Sequence, residues 1–189
     1  SGDVSVTGLG GNFGTSYGIN ISFDSAITAG GLGKVTVTGT GGASSGNHNW
    51  GVYVNNVNAK ITSSGGDLLV VGQGGGTGSS SQNYGVNVAT GGQIAAGGNA
   101  TTTVLGTGGA TGGNTNIGIM VAGTNARINS NNGSVVVTGQ GGGSGASVGN
   151  FGVAVQNGGL ISAGGLNSVT VNGQGGATVG NSNYGVHMF

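Results

Sequence analysis

The chain contains no cysteine, no proline and no glutamate. Without cysteine it has neither a disulfide framework nor a thiolate metal site. Its acids are Asp3, Asp24 and Asp67, and its bases are Lys34, Lys60 and Arg127. Net charge is therefore zero, which leaves no electrostatic footprint for nucleic acid or anionic lipid. No apolar run approaches the ~20 residues needed to cross a bilayer, so membrane insertion is not expected. No stretch has helical periodicity.

What is abundant is glycine, 50 of 189 residues. Collagen is excluded, because it needs a strict three-residue glycine period. Disorder is the next reading of such a composition, but disordered chains are poor in β-branched residues and usually charged. Here valine and isoleucine recur on a schedule.

That schedule is an internal repeat. G-x-G-G begins at Gly8, Gly39, Gly72, Gly106, Gly139 and Gly173. An aromatic or isoleucine, then glycine, then valine or isoleucine occurs at Tyr17, Trp50, Tyr84, Ile117, Phe151 and Tyr184. A lone isoleucine marks Ile27, Ile61, Ile94, Ile128 and Ile161. After one short opening step, the markers advance by 33 or 34 residues in alternation, so a period of 67 underlies them. Lys60 and Arg127 fall in one column two repeats apart.

Each repeat holds three short runs of period two: V-x-V-x-G, then the run after the aromatic, then the run around the isoleucine. β-branched residues at period two predict strands, and the glycine and asparagine clusters between them predict corners. The expected fold is all-β: a right-handed parallel β-helix with three short strands per coil, 33–34 residues per coil and about 5.7 coils. Residues 1–189 are expected to form a single solenoid segment, part of a longer array or of a stacked fibre. A coil of about 17 residues is the rival register, since V-x-V pairs also recur at that spacing.

Stacked coils would set equivalent residues above one another about 4.8 Å apart. Val4, Val35 and Leu68 would form one inward column, Val6, Val37 and Val70 a second, and Ile19, Val52 and Val86 a third. The isoleucine column would be core. Counting by parity, the aromatic column also points inward. The residues before it (Ser16, Asn49, Asn83, Asn116, Asn150 and Asn183) would form an amide ladder at a corner. The glycines are expected to make tight corners and to adopt unusual φ angles.

Phrases such as V-T-V-T-G-T-G-G at 35–42 and N-Y-G-V at 83–86 resemble the repeats of filamentous-haemagglutinin-like exoproteins and haemagglutinin-like autotransporter passengers. The resemblance runs the whole length of the chain. It implies a right-handed parallel β-helix, export from a Gram-negative cell to its surface or surroundings, and a role in adhesion or matrix. The expected partners are further coils of the same kind, because unpaired strand edges invite pairing, and a host or neighbouring-cell surface. No cofactor, metal or catalytic residue is implied.

The residues agree with that reading. Polysaccharide-cleaving β-helices need clustered acids or bases, and three scattered aspartates do not supply them. Calcium β-rolls need Asp in their glycine-rich turns. G-x-G-G here precedes no helix, so it is not expected to cradle phosphate. His48 and His187 are not paired. Asn20, Asn99 and Asn132 begin N-x-[ST] triplets that are expected to be incidental. The sharpest alternative function is ice binding. Outward columns of the first strand carry Thr7, Thr36, Thr38, Thr103, Thr138 and Thr170, with leucine and valine between them. Threonine is also simply a good β-former.

Overall fold

The structure is a computed structural model that describes residues 2–189. Its regular structure is entirely strand, seventeen strands among the described residues. The first coil holds β1 (Val4–Leu9), β2 (Ile19–Ser22) and β3 (Ala26–Ala29). The second holds β4 (Val35–Thr40), β5 (Val52–Asn55) and β6 (Lys60–Ser63). The third holds β7 (Leu68–Gln73), β8 (Val86–Ala89) and β9 (Gln93–Ala96). The fourth holds β10 (Thr102–Thr107), β11 (Ile119–Ala122) and β12 (Arg127–Ser130). The fifth holds β13 (Val135–Gln140), β14 (Val153–Gln156) and β15 (Leu160–Ala163). Two strands of a sixth follow, β16 (Val169–Gln174) and β17 (Val186–Met188).

Each strand pairs in parallel with the strand three places on. Three sheets result. The first runs β1-β4-β7-β10-β13-β16, the second β2-β5-β8-β11-β14-β17 and the third β3-β6-β9-β12-β15. This is a three-stranded coil, and it excludes the 17-residue register. The expected columns are aligned: Val4 with Val35, Val35 with Leu68, Ile19 with Val52, and Ile61 with Ile94.

Alternation along each strand decides what is inside. In β4 the valines and Gly39 are buried while Thr36, Thr38 and Thr40 are partly exposed. Val35, Val37, Val52, Val70, Ile61, Ile94 and Ile128 are fully buried in one continuous core. Each such side chain contributes roughly 1.5–3 kcal/mol relative to leaving it exposed. Ala29, Ser63, Ala96 and Ser130 follow the isoleucines and also point inward. The Ser63 hydroxyl donates to the carbonyl of Gly66, and that of Ser130 to Ala100 at 2.7 Å. Their burial is thus satisfied.

At one corner the first and second sheets converge almost to contact. A β-carbon at Gly72 would overlap the carbonyl oxygen of Gly85, and one at Gly85 would meet the amide nitrogen of Thr107. These glycines are selected for space. Neither has a positive φ, so the expectation of unusual backbone angles at the G-x-G-G column is corrected: close approach of two backbones, with no room for a methyl, explains it.

Candidate functional site

That narrow corner carries the chain's most ordered polar array. Asn49, Asn83, Asn116 and Asn150 are completely buried. The backbone N–H of Asn49 and its side-chain Nδ2 both donate to Oδ1 of Asn83, at 3.1 and 3.0 Å. Asn83 repeats this with Asn116 at 3.2 and 2.9 Å, and Asn150 with Asn183 at 3.0 and 2.9 Å. Between them, the N–H of Asn116 donates to Oδ1 of Asn150 at 2.9 Å, while its Nδ2 turns to the Gly113 carbonyl at 2.7 Å. Neighbouring hydroxyls complete the network: Asn83 donates to Ser80 and Asn150 to Ser147, each at 2.9 Å. At one end the column changes to Ser16, and Oδ1 of Asn49 is buried without a partner.

The residue before each of these asparagines is left-handed. His48 has φ 62°, Gln82 58°, Thr115 60°, Gly149 70° and Ser182 60°. Four of the five are not glycine, and for Thr115, which is β-branched, this conformation is an outlier. The buried amide bonds hold the corner in this shape.

The aromatic column does not join the main core, which corrects the parity argument. Trp50, Tyr84 and Ile117 pack instead with Met120, Ala154 and Tyr53 in a separate cluster. Those last three residues occupy the outward column of the second sheet. The physical reason is that Trp50 precedes β5, and Gly51 between them faces the converging backbone, so parity cannot be counted across it. The rings stack along the axis: Tyr17 on Trp50 at 5.0 Å, Trp50 on Tyr84 at 5.6 Å, and Phe151 on Tyr184 at 5.6 Å. Ile117 interrupts the pile. The Trp50 indole N–H donates to the Gln82 carbonyl at 2.6 Å. Trp50, with Tyr17 on one face and Tyr84 on the other, has neither ring face open to a sugar. Burial pushes the Tyr84 hydroxyl up to about 12 and raises Tyr17 as well.

The charged residues are dispersed. Asp3 accepts the backbone N–H of Lys34 at 2.8 Å, and Asp67 accepts that of Thr101 at 3.0 Å. The two acids thus play one role, two coils apart, at the corner before the first sheet. Asp24 accepts from the Asn58 amide at 3.0 Å. Lys60 and Arg127 lie in one column of the third sheet with Gln93 between them. There a shallow depression forms around Ala95, bordered by Lys60, Thr62 and Asn131. His187 lies among Phe151, Tyr184 and Phe189. Among the described residues, no three of the side chains His, Cys, Asp and Glu gather in a metal-holding group.

The isoleucine column is where parity places it. Ile61, Ile94 and Ile128 are fully buried, and Ile27 and Ile161 are partly covered. Thr36, Thr103 and Thr170 occupy one outward column of the first sheet. Thr7, Thr38 and Thr138 occupy the next. Leu69 and Val136 break the first of these columns, and Val71 and Leu105 the second. Comparison of the chain with protein-family models, curated proteins and solved structures finds no match.

Proposed function

We propose that this chain is a structural repeat segment of a secreted bacterial surface adhesin or extracellular fibre, serving attachment, cohesion or matrix. The observation that carries the reading is the axial continuity of the fold. Three parallel sheets and an aliphatic core run along one axis in unbroken register, and a buried amide ladder accompanies them from Asn49 to Asn183. Cohesion is therefore directed along the rod, and the same columns can accept another coil at either edge strand of the first sheet, β1 or β16. The near absence of charge leaves little repulsion against such association. The aspartates support the reading too, since each is engaged in a local hydrogen bond. The likeness to haemagglutinin-type repeats supplies the bacterial surface and the partner cell. The test is cryo-microscopy and fibre diffraction of the parent protein at the surface of its cell. Unbranched rods with a ~4.8 Å axial repeat are expected. A globular particle without that repeat overturns the proposal.

A second reading, ice binding, rests on one observation: all six threonines named above face outward from a single parallel sheet. Thermal hysteresis measured on the purified chain, abolished in Thr38→Leu/Thr103→Leu, would establish it. Its absence removes the reading.

A further inference from the structure

We propose that the outward face of the first sheet is a lateral pairing surface, on which a second copy of this chain docks face to face. Each of the six strands presents three residues outward there, and none is charged. Leu69, Val71, Leu105 and Val136 lie on adjacent strands β7, β10 and β13 around Thr103, which pairs with both Leu69 and Val136. Leu105 is 37% exposed. Threonine, glutamine and asparagine surround this patch: Thr36, Thr38 and Gln73 on one side, Thr138, Gln140 and Asn172 on the other. An apolar centre inside an uncharged polar rim is the anatomy of a protein interface.

The other two faces lack these properties. The outward side chains of the second sheet are already covered by the aromatic column; Met120 is 6% exposed and Ala154 0%. The third sheet carries Lys60 and Arg127 in one column, so a like face brought against it would repel.

A second copy suits the surface better than another partner because its corrugation has the same period. Counting a full ~4.8 Å width for each, six strands cover about 29 Å. Three outward side chains per strand, each taking up about 7 Å of its length, cover roughly 20 Å. Pairing would bury roughly 600 Å² on each copy, about 1,200 Å² together, just above the ~1,000 Å² that a specific interface needs. The area rises with every coil added, so the same contact strengthens in proportion to rod length. Lateral pairing does not require axial continuation, and each can fail without the other.

The test uses sedimentation and negative-stain microscopy of the purified chain beside Leu69→Lys/Leu105→Lys. Wild type is expected to show concentration-dependent doubling of mass or width, and the double variant single rods of unchanged length, circular dichroism and melting temperature. Thr62→Lys on the third sheet should pair like wild type. If the double variant fails to fold, Thr103→Cys serves instead, because the chain has no other thiol. A short bismaleimide should link copies through Thr103→Cys and not through Thr62→Cys. Equal association of wild type and the folded double variant overturns lateral pairing and leaves the rod reading standing. Monomers at every concentration overturn it too, and thermal hysteresis of those monomers assigns the face to ice.

Discussion

Asn83 and Asn116 occupy one corner in successive coils, and Oδ1 of Asn116 accepts both the backbone N–H and the side-chain Nδ2 of Asn83, at 3.2 and 2.9 Å. Both residues are fully buried. The side chain thus stands in for a backbone carbonyl at a corner where the sheets end. Asn83→Ala with Asn116→Ala is expected to cost about 1–3 kcal/mol, because buried donors lose their partners. Urea denaturation measures it, and an unchanged midpoint would show that water replaces the amides.

The same corner predicts a stabilising change. Thr115 has φ 60°, and Gly149 occupies the equivalent position one coil on. Thr115→Gly should raise stability by about 1 kcal/mol, because the left-handed backbone then carries no β-carbon. The gain is partly offset by the larger unfolded-state entropy of glycine. A lower melting temperature would mean that Thr115 contributes contacts outweighing its strain.

Gly72 and Gly30 separate space from backbone freedom. A methyl at Gly72 would overlap the Gly85 carbonyl, whereas nothing lies within 4 Å of one at Gly30. Gly72→Ala is expected to cost about 3 kcal/mol or more by overpacking. Gly30→Ala should be neutral or stabilise by up to about 1 kcal/mol. Comparable melting temperatures for the two variants would contradict the close approach of the sheets.

Ile94→Asp should abolish native circular dichroism, since an unpaired buried charge costs several kcal/mol. Thr62→Asp, on the outward side of the adjacent strand, should leave it intact. Equal tolerance of both would place the isoleucine column outside the core.

Alkaline pH should loosen the second sheet. Burial raises the Tyr84 hydroxyl from 10.0 to about 12. Below pH 10 the hydroxyl is neutral in both folded and unfolded chains, and its burial contributes fully. Between pH 10 and 12 only the unfolded chain ionises, so stability falls, by on the order of 2 kcal/mol. Tyr84→Phe should flatten this decline, as read by urea midpoints across that range. An equal decline in the variant would assign it to other groups.

The coil length, the strand order and the inward valine and isoleucine columns were legible because one period-two pattern recurs at fixed spacing. The asparagine ladder was legible for the same reason. The position of Trp50 was not, because Gly51 breaks the alternation by which parity is counted. A signal was available: Tyr53, Met120 and Ala154, on the outward parity, are themselves apolar or aromatic and need something to cover them. The left-handed column at His48, Gln82 and Thr115 was hidden because side-chain chemistry there is unrelated from coil to coil; Gly149 alone hinted at it. The threonine columns do face outward, yet their interruption by Leu69, Val71, Leu105 and Val136 acquires meaning only when those four are seen on three adjacent strands around Thr103.

The alternation of two coil types sets the quantum by which such a rod can lengthen or shorten over generations. Gln93 separates Lys60 from Arg127 in the third sheet, and Asp3 and Asp67 recur at the same two-coil interval. Loss of the one coil that carries Gln93 would set Lys60 and Arg127 about 4.8 Å apart, with mutual repulsion. Loss or duplication of a 67-residue pair keeps every column in phase. Natural length variants of this array should therefore differ by whole pairs of coils, in steps of about 9.6 Å of reach.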